Sequence, residues 1–277
     1  MPLTNLFAGI GMNAWPTVAK RFKLPPHIRY MDLFQLLVFA AIGMFTGFAS
    51  GMFGIGGGSV RIPLLAMAGM PLINAFAVNM FAIPFCSSAG AFVQRKNINW
   101  VVVKPFVAGG LLSIVLATFI VGFVSSQFLA AVFFFSALLT IAGLYLNKIS
   151  PKIYDKIRPT NVNLFIGAFV TNFIIGLRGG SGGTASPPLL RAMHIKMHSA
   201  IATSLFASTL TSLAALFIYL FRGDVFIIPA LVVGATSIAG SYAGSELSMK
   251  TESKWLKAGL AAIVFLLACT VAYKEFF

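Results

Sequence analysis

A glycine-rich break that occurs twice at a fixed distance is the feature that most constrains this chain. The first copy runs from Gly51 to Leu65, and the second runs from Gly176 to Leu190. The two copies correspond at a constant offset along the chain (176 − 51 = 125). Both copies lie within apolar stretches. Because lipid cannot hydrogen-bond unwound backbone, such breaks are tolerated only where they are buried in protein or line a watery cavity.

Composition places the chain in a membrane. Hydrophobic residues make up 58% of the sequence and charged residues only 9%, whereas a soluble domain carries roughly 25% charged residues. A chain of 277 residues holds about eight spans of ~20 residues with short connections. The predicted fold is therefore an all-α polytopic membrane protein with two homologous four-span halves, each containing one glycine-rich broken helix.

The hydropathy pattern divides the chain into segments. Two short half-helices are predicted after the breaks, at about 60–70 and 185–194. Nothing in the first 30 residues reads as a cleaved signal peptide. The predicted spans are 33–53, 75–93, 104–124, 127–147, 161–177, 197–221, 225–246 and 255–274. The predicted units are a basic interfacial segment (1–32), a first membrane repeat (33–147), a cytoplasmic loop (148–160) and a second membrane repeat (161–277).

The net charge of +14 is interpreted through topology rather than as a sign of nucleic-acid binding. Basic residues in loops set the orientation of a membrane protein and contact anionic lipid head groups. The charges predict that the N-terminus, the 94–104 loop and the 148–158 loop are cytoplasmic. The 248–257 hairpin does not fit this alternation, because it is basic yet would face outward. Either the hairpin is an exception, or a re-entrant piece has been miscounted.

The first break, with the pattern G-x-x-G-I-G-G-G-x-x-x-x-P-L-L, resembles the signature of the sulfite exporter TauE/SafE family of bacterial membrane proteins. In that family the motif appears once per half, and the span after it often begins with a Gly/Ala-Thr-Ser-Leu run, which is present here at Ala202–Leu205. This chain departs from the pattern in two places. Arg178 and Gly180-Ser181 stand where the family usually has apolar residues and glycine, and Val78-Asn79 replaces the Thr-Ser pair in the first half. The resemblance implies transport of a sulfur-containing or organic anion across the bacterial inner membrane.

The two breaks are predicted to form one anion site, because helix N-termini attract anions and glycine lets backbone approach a ligand. Arg178 is the leading cation, since its planar fork suits two oxygens of an oxyanion. Arg61 is a second candidate, although its head is expected to reach the membrane interface instead. Tight packing of small residues and hydroxyls bonded to their own helices are the structural alternatives. The predicted substrate-binding residues are Gly56, Gly57, Gly58, Ser59, Arg61, Asn79, Arg178, Ser181, Gly182, Gly183, Thr184, Thr203 and Ser204.

The sequence gives little support for catalysis, metal binding or cysteine chemistry. No acid pair, Ser/His/Asp set or Cys/His set lies at the depth of a span, so the chain is predicted not to be an enzyme and to need no cofactor. His194 and His198 have helical metal-ligand spacing, but Lys196 between them disfavours a bound cation. Cys86 and Cys269 are interpreted as small buried apolar residues.

The predicted function is that of a secondary transporter which exports a small oxyanion, with sulfite or an organosulfonate implied by the resemblance. Alternating access around the paired breaks is the expected mechanism. No carboxylate lies near the middle of a span, but the membrane potential alone can drive an anion outward. An anion channel, a non-transporting scaffold or sensor and an intramembrane enzyme are the alternatives. The expected partners are the anion and membrane lipid, without nucleic acid, and homo-oligomerisation is left open.

Overall fold

A computed structural model of the chain describes residues 33–121, 141–142, 145–177, 179–181 and 183–276, together with Phe128, Phe135 and Leu138. The described secondary structure is entirely helical, and a short 3₁₀ turn at Arg95–Asn97 joins two of the helices. The α-helices are α1 (Leu33–Phe53), α2 (Gly58–Met67), α3 (Leu72–Val93), α4 (Trp100–Ile120), α5 (Leu146–Ile149), α6 (Pro151–Lys156), α7 (Asn161–Leu177), α8 (Ser186–Ala192), α9 (Met197–Arg222), α10 (Ile227–Lys250) and α11 (Ser253–Phe276).

Several of these helices are long and apolar enough to cross a membrane. Among the described residues they are α1, α3, α4, α9 and α10, and their bounds lie within a few residues of the predicted spans. Helices α2 and α8 begin after the two breaks, as predicted. Most of the predicted span 127–147 lies outside the described residues, so the eight-span arrangement in two halves stays a prediction.

Helices α1, α3 and α10 form one group, and they run in the same direction. A Cβ added at Gly47 would lie 2.2 Å from the carbonyl oxygen of Ser237, and one added at Gly51 would lie 2.1 Å from that of Ser241. Since the residue numbers of the contacting pairs increase together along both helices, α1 and α10 are parallel. The hydroxyl of Ser241 also donates to the carbonyl of Cys86 on α3 at 2.6 Å. Glycine is required along this seam because any side chain would strike backbone.

Helices α4, α7 and α9 form a second group. A Cβ at Gly109 of α4 would lie 2.2 Å from the carbonyl oxygen of Phe165 on α7. Further along, a Cβ at Gly176 of α7 would lie 2.7 Å from the Cβ of Ala117 on α4. These two helices are therefore parallel and closely packed, and α9 lies against α4 as well.

Helix α9 fixes the relative direction of the two groups. Near its beginning, Thr203 accepts a hydrogen bond from the backbone N–H of Asn99, the residue before α4, at 3.0 Å. At its end, Arg222 donates to the carbonyl of Thr118 near the end of α4, at 3.2 Å. Helices α4 and α9 are thus parallel. Because only a short turn joins α3 to α4, the second group runs opposite to the first.

This arrangement decides the orientation that the charge alternation left open for the 248–257 hairpin. The hairpin lies at the same end of the molecule as the 94–99 turn, because His198 Nε2, near the start of α9, lies 3.1 Å from the carbonyl oxygen of Thr251. His194 Nε2 contacts the carbonyl of Tyr154 at 3.0 Å, which brings the 145–160 segment to that end too. We call it the basic end. Its described basic residues are Arg95, Lys96, Lys152, Arg158, Lys196, Lys250 and Lys254.

Of the two alternatives, the structure favours the miscounted re-entrant piece, because each broken helix turns the chain back. Helix α2 returns the chain after α1, so α1 and α3 are parallel and Leu33 begins opposite the basic end. Helix α8 does the same between α7 and α9. The two histidines contact different loops rather than a common point. The first span therefore begins on the side opposite the 94–99 turn, whereas the charge alternation placed both on one side. Residues 1–32 lie outside the described residues, so the location of the N-terminus itself stays a prediction.

The end opposite the basic end carries a partly buried ion pair. Arg222 Nε lies 2.9 Å from Asp224 Oδ2, and Asn74 at the start of α3 donates to the backbone carbonyl of Asp224 at 2.8 Å. Burial raises the pKa of Asp224 above its ordinary value, and the nearby Arg222 guanidinium offsets part of that rise. The turn after α9 is thereby tied to both helix groups.

Asp224 should make folding stability depend on pH. A carboxyl whose pKa is higher in the folded state stabilises fully below its unfolded pKa, about 3.9, and that contribution is lost as pH rises through the folded pKa. The melting temperature of the wild type should therefore fall relative to Asp224→Asn as pH rises from about 4. Glu252→Gln, in an exposed pair with Lys254, is the control. A wild-type melting temperature that instead rises relative to that of Asp224→Asn with increasing pH would contradict the assignment.

Candidate functional site

The two glycine-rich breaks have backbone conformations that residues other than glycine rarely adopt. Gly54, Gly56 and Gly57 have φ values of 72°, 66° and 75°, and Gly179 in the second break has a φ of 72°. These values lie in the left-handed region, which glycine enters without steric cost. The glycines are therefore required by the turn itself, which reverses the chain between α1 and α2 and between α7 and α8.

The two breaks contact each other in the interior of the protein. A Cβ added at Gly183 would lie 2.7 Å from the carbonyl carbon and oxygen of Ile55 and 2.9 Å from the amide nitrogen of Gly56. Beside this contact, the hydroxyls of Ser59 and Thr184 are hydrogen-bonded, and these residues are 125 positions apart. Corresponding positions of the two copies thus meet side by side.

A reciprocal pair of hydrogen bonds holds the breaks in place. Asn79 of α3 donates to the carbonyl of Gly179 at 2.8 Å, and Ser204 of α9 donates to the carbonyl of Gly54 at 2.8 Å. Both members correspond at the repeat offset (204 − 79 = 125; 179 − 54 = 125). Each break is therefore anchored by the span that follows the other one.

Ser204→Ala should weaken this anchoring. The change leaves the carbonyl of Gly54 without its hydroxyl donor in a buried place, and an unmade buried hydrogen bond costs about 1–3 kcal/mol. We expect a lower melting temperature in detergent. Ser237→Ala is the matched control, because that buried hydroxyl donates within its own helix to the carbonyl of Gly234 at 2.9 Å. Equal stability of the two variants would argue against the anchoring role.

Arg61 of α2 is fully buried, with none of its surface exposed. Its Nε donates to the Thr46 hydroxyl at 3.1 Å, its Nη1 donates to Asn79 Oδ1 at 3.0 Å, and its Nη2 lies 3.7 Å from Cys86 Sγ. The expectation that this head reaches the interface is wrong. Helix α2 turns back into the protein, so its first turn faces the neighbouring spans rather than lipid.

The charge of Arg61 has no carboxylate partner among the described residues. Its contacts are a hydroxyl, an amide oxygen and a thiol, all neutral. The acidic side chains described elsewhere are at the ends of helices or in turns. They are Asp155, Asp224, Glu246 and Glu252. An unneutralised cation is therefore held beside the point where the two breaks meet.

Three consecutive glycines of the first break face different parts of this site. A Cβ at Gly57 would lie 2.9 Å from Arg61 Nη2, and one at Gly58 would lie 2.8 Å from Asn79 Nδ2. A Cβ at Gly56 would lie 3.4 Å from the hydroxyl oxygen of Ser181. The backbone at the N-terminus of α2 is therefore close to the guanidinium, the amide and a hydroxyl of the second break.

The structure brings most of the predicted site residues together. Thr203 is an exception, because its hydroxyl accepts from the backbone of Asn99 and lies away from the breaks. Gly182 and Arg178 lie outside the described residues, so the leading role predicted for Arg178 stays a prediction. The binding roles of the other predicted residues also stay predictions.

Sequence reasoning selected Asn79 but missed Thr46 and Cys86, which also contact Arg61 from neighbouring spans. Thr46 and Ser50 are one helical turn apart on α1, a spacing that could have suggested a polar face. Cys86 is a buried free thiol, as expected of a small buried residue, but it also contacts Arg61 Nη2 and donates to the Ser50 hydroxyl at 3.7 Å. Its contact with a cation had no signal in the sequence.

Comparison with known proteins gives a consistent result. The model of the family described as sulfite exporter TauE/SafE matches residues 39–271. A "Probable membrane transporter protein" of Haemophilus influenzae is 23% identical over 261 residues, which is 86% of this chain and 98% of that protein. One from Sinorhizobium sp. is 26% identical over 85% of this chain and 92% of its own length. One from Methanocaldococcus jannaschii is 31% identical over 150 residues, and there the match spans 52% of this chain and only 44% of the relative.

Proposed function

The chain belongs to the sulfite exporter TauE/SafE family, and from this premise we propose that it exports a small oxyanion as a secondary transporter. Its relatives carry the name of membrane transporters, and it is a multi-pass membrane protein. The proposed substrate class is sulfite or an organosulfonate, following the description of the family. The proposed location is the bacterial inner membrane. The observation that carries the proposal is the buried charge of Arg61.

A buried arginine is costly in a membrane and is therefore a sign of function. Insertion scales place the cost of a charged residue in mid-span at about 2.5–3.5 kcal/mol. A guanidinium has five N–H donors, and Arg61 makes three contacts to neutral groups among the described residues. An anion beside it would supply the missing counter-charge and accept the remaining hydrogen bonds. Transient binding of this kind is what a transporter needs.

The N-terminus of α2 supports the same ligand. In the described part of the chain, the amides of Gly57 and Gly58 donate no hydrogen bond to another backbone carbonyl. Such free amides and the positive end of the helix dipole favour an anion. Arg178, which belongs to the second break, is proposed as a further cation of the site.

The two helix groups support alternating access. They run in opposite directions, and each contains one helix from the other sequence half, because α10 packs with α1 and α3 while α4 packs with α7 and α9. Inverted halves with broken helices at their interface are typical of secondary transporters. The proposed motion is rocking of these groups around the contact between the breaks, rather than of the two sequence halves as continuous blocks.

The charge distribution supports the proposed direction of transport. Basic loops remain on the cytoplasmic side, so the basic end is proposed to face the cytoplasm. An inside-negative potential then drives an anion outward with ~2.3 kcal/mol per charge per 100 mV. Export therefore needs no carboxylate that couples protons within the membrane.

Flux of radiolabelled sulfite through proteoliposomes tests this function. Vesicles that contain sulfite should release it faster when a potassium diffusion potential makes the lumen negative, and the rate should saturate with the sulfite concentration. Preloaded unlabelled sulfite should accelerate uptake of the label by exchange. Large ionic currents without exchange would favour a channel. No flux above that of protein-free vesicles, for any of sulfite, sulfate or isethionate, would overturn the proposal and favour a scaffold or sensor.

A further inference from the structure

The space beside Gly56 differs from that beside the other glycines of the two breaks. A Cβ at Gly56 would lie 3.4 Å from Ser181 Oγ, 3.7 Å from a methyl of Ile83 and 3.8 Å from Ser208 Oγ, all ordinary contact distances. At the other break glycines whose surroundings are described, a Cβ would come within 3.0 Å of a neighbour. The backbone of Gly56 is thus less tightly enclosed than that of the other break glycines, and the hydroxyl oxygens of Ser181 and Ser208 both lie near it. We call this place the gap beside Gly56.

The hydroxyl of Ser181 makes no hydrogen bond to the described residues, although the residue is only 3% exposed. An unpaired buried hydroxyl is unfavourable and is uncommon in native structures. It therefore calls for a ligand atom that the protein itself does not supply. The gap beside Gly56 is the described space next to this oxygen.

The hydroxyl of Ser208 is a second polar group beside the gap. It lies one helical turn after Ser204 on α9 and is 2% exposed. Since Ser204 is fixed to the carbonyl of Gly54, the face of α9 that carries both serines is held against the first break. Sequence reasoning did not select Ser208.

Gly56 and Gly57 connect this gap to the cation of the site. They are consecutive, so their Cα atoms are about 3.8 Å apart, and Gly57 is the glycine that faces Arg61 Nη2. An anion at the loop can therefore face Arg61 through some of its oxygens and the gap through another. No carboxylate lies beside these groups in the described part of the chain.

We propose that Ser181 and Ser208 bind an oxygen of the transported anion beside Gly56, and that the site selects oxyanions without an ammonium group. This inference rests on the proposed function. The acceptors described around the breaks, Asn79 Oδ1 and the carbonyls of Gly54 and Gly179, are already bonded within the protein. The groups left for a ligand are the Ser181 hydroxyl and the Arg61 guanidinium, which match a ligand that accepts hydrogen bonds. A zwitterion would bring an ammonium group beside Arg61 without a carboxylate to hold it, which costs binding energy.

Competition for radiolabelled sulfite on the purified full chain tests the selectivity. Isethionate and taurine are the matched probes, since they differ only in a terminal hydroxyl or ammonium group. We expect taurine to compete at least about tenfold more weakly than isethionate, as for the loss of one charge-assisted contact. Equal competition by the two sulfonates would overturn the proposed selectivity.

Serine variants test the hydroxyl pair. Ser181→Ala and Ser208→Ala should each weaken sulfite binding about tenfold, while Ser237→Ala, whose hydroxyl bonds within α10, should bind normally. Ser181→Ala should keep the wild-type melting temperature, because that hydroxyl has no protein partner to lose. A purely structural role would instead lower it.

The outcomes distinguish a failure of this inference from a failure of the proposed transport function. Normal sulfite binding by both serine variants, together with loss of binding in Arg61→Gln, would overturn the hydroxyl pair and leave the anion transporter in place. Absence of sulfite and isethionate binding by the folded wild type would remove the transporter proposal and this inference with it.

Discussion

Arg61→Gln is expected to reduce sulfite flux at least about a hundredfold, because it removes the buried cation and two or more charge-assisted hydrogen bonds to the anion. Glutamine is shorter and neutral, and its amide nitrogen lies about where Arg61 Nε lies, so it can still donate to the Thr46 hydroxyl. The variant should therefore fold. Its flux in proteoliposomes is compared with that of the wild type at equal protein content, after size-exclusion chromatography has established that both are monodisperse.

Two further variants make the Arg61 result specific. Arg61→Lys keeps the charge but loses the planar fork, so we expect an intermediate loss. Arg191→Gln is the control, since Arg191 is a partly buried arginine on α8 that donates to the carbonyl of Ile195 at 3.3 Å. Wild-type flux through folded Arg61→Gln would show that the buried charge is structural. Arg178→Gln then becomes the decisive variant for the anion site.

Gly183→Ala is expected to separate the two breaks and to abolish transport. The added Cβ would lie 2.7 Å from the backbone carbonyl of Ile55, and backbone cannot move aside as a flexible side chain can. Overpacking of this kind typically costs about 1–3 kcal/mol. The expected results are a lower melting temperature in detergent and loss of sulfite flux.

Gly234→Ala is the matched control for Gly183→Ala. Its Cβ would lie 3.4 Å and 3.6 Å from ring atoms of Phe81, which are ordinary contacts, and alanine favours a helix interior by up to about 1 kcal/mol over glycine. This variant should be as stable as the wild type or more stable. If Gly183→Ala behaved in the same way, the two breaks would not be in close contact.

Much of the helical framework could be predicted from the sequence. Seven of the eight predicted spans correspond to described helices, and five of these helices are long and apolar enough to cross a membrane. Both short helices begin where glycine ends the preceding helix. Neighbouring hydroxyls were harder to separate. Thr203 and Ser204 are adjacent, but consecutive helical residues point in directions about 100° apart, and only Ser204 reaches the breaks.

The sequence by itself determined that this is a helical membrane protein, where its backbone must unwind and which family it belongs to, because hydropathy and glycine act locally along the chain. The tertiary structure alone decided that each broken helix returns the chain, that the basic loops share one end and that Arg61 is buried beside Thr46, Asn79 and Cys86. These facts depend on contacts between distant segments. Backbone packing at a few glycines sets those contacts, and the sequence of one segment does not show which other segment it packs against.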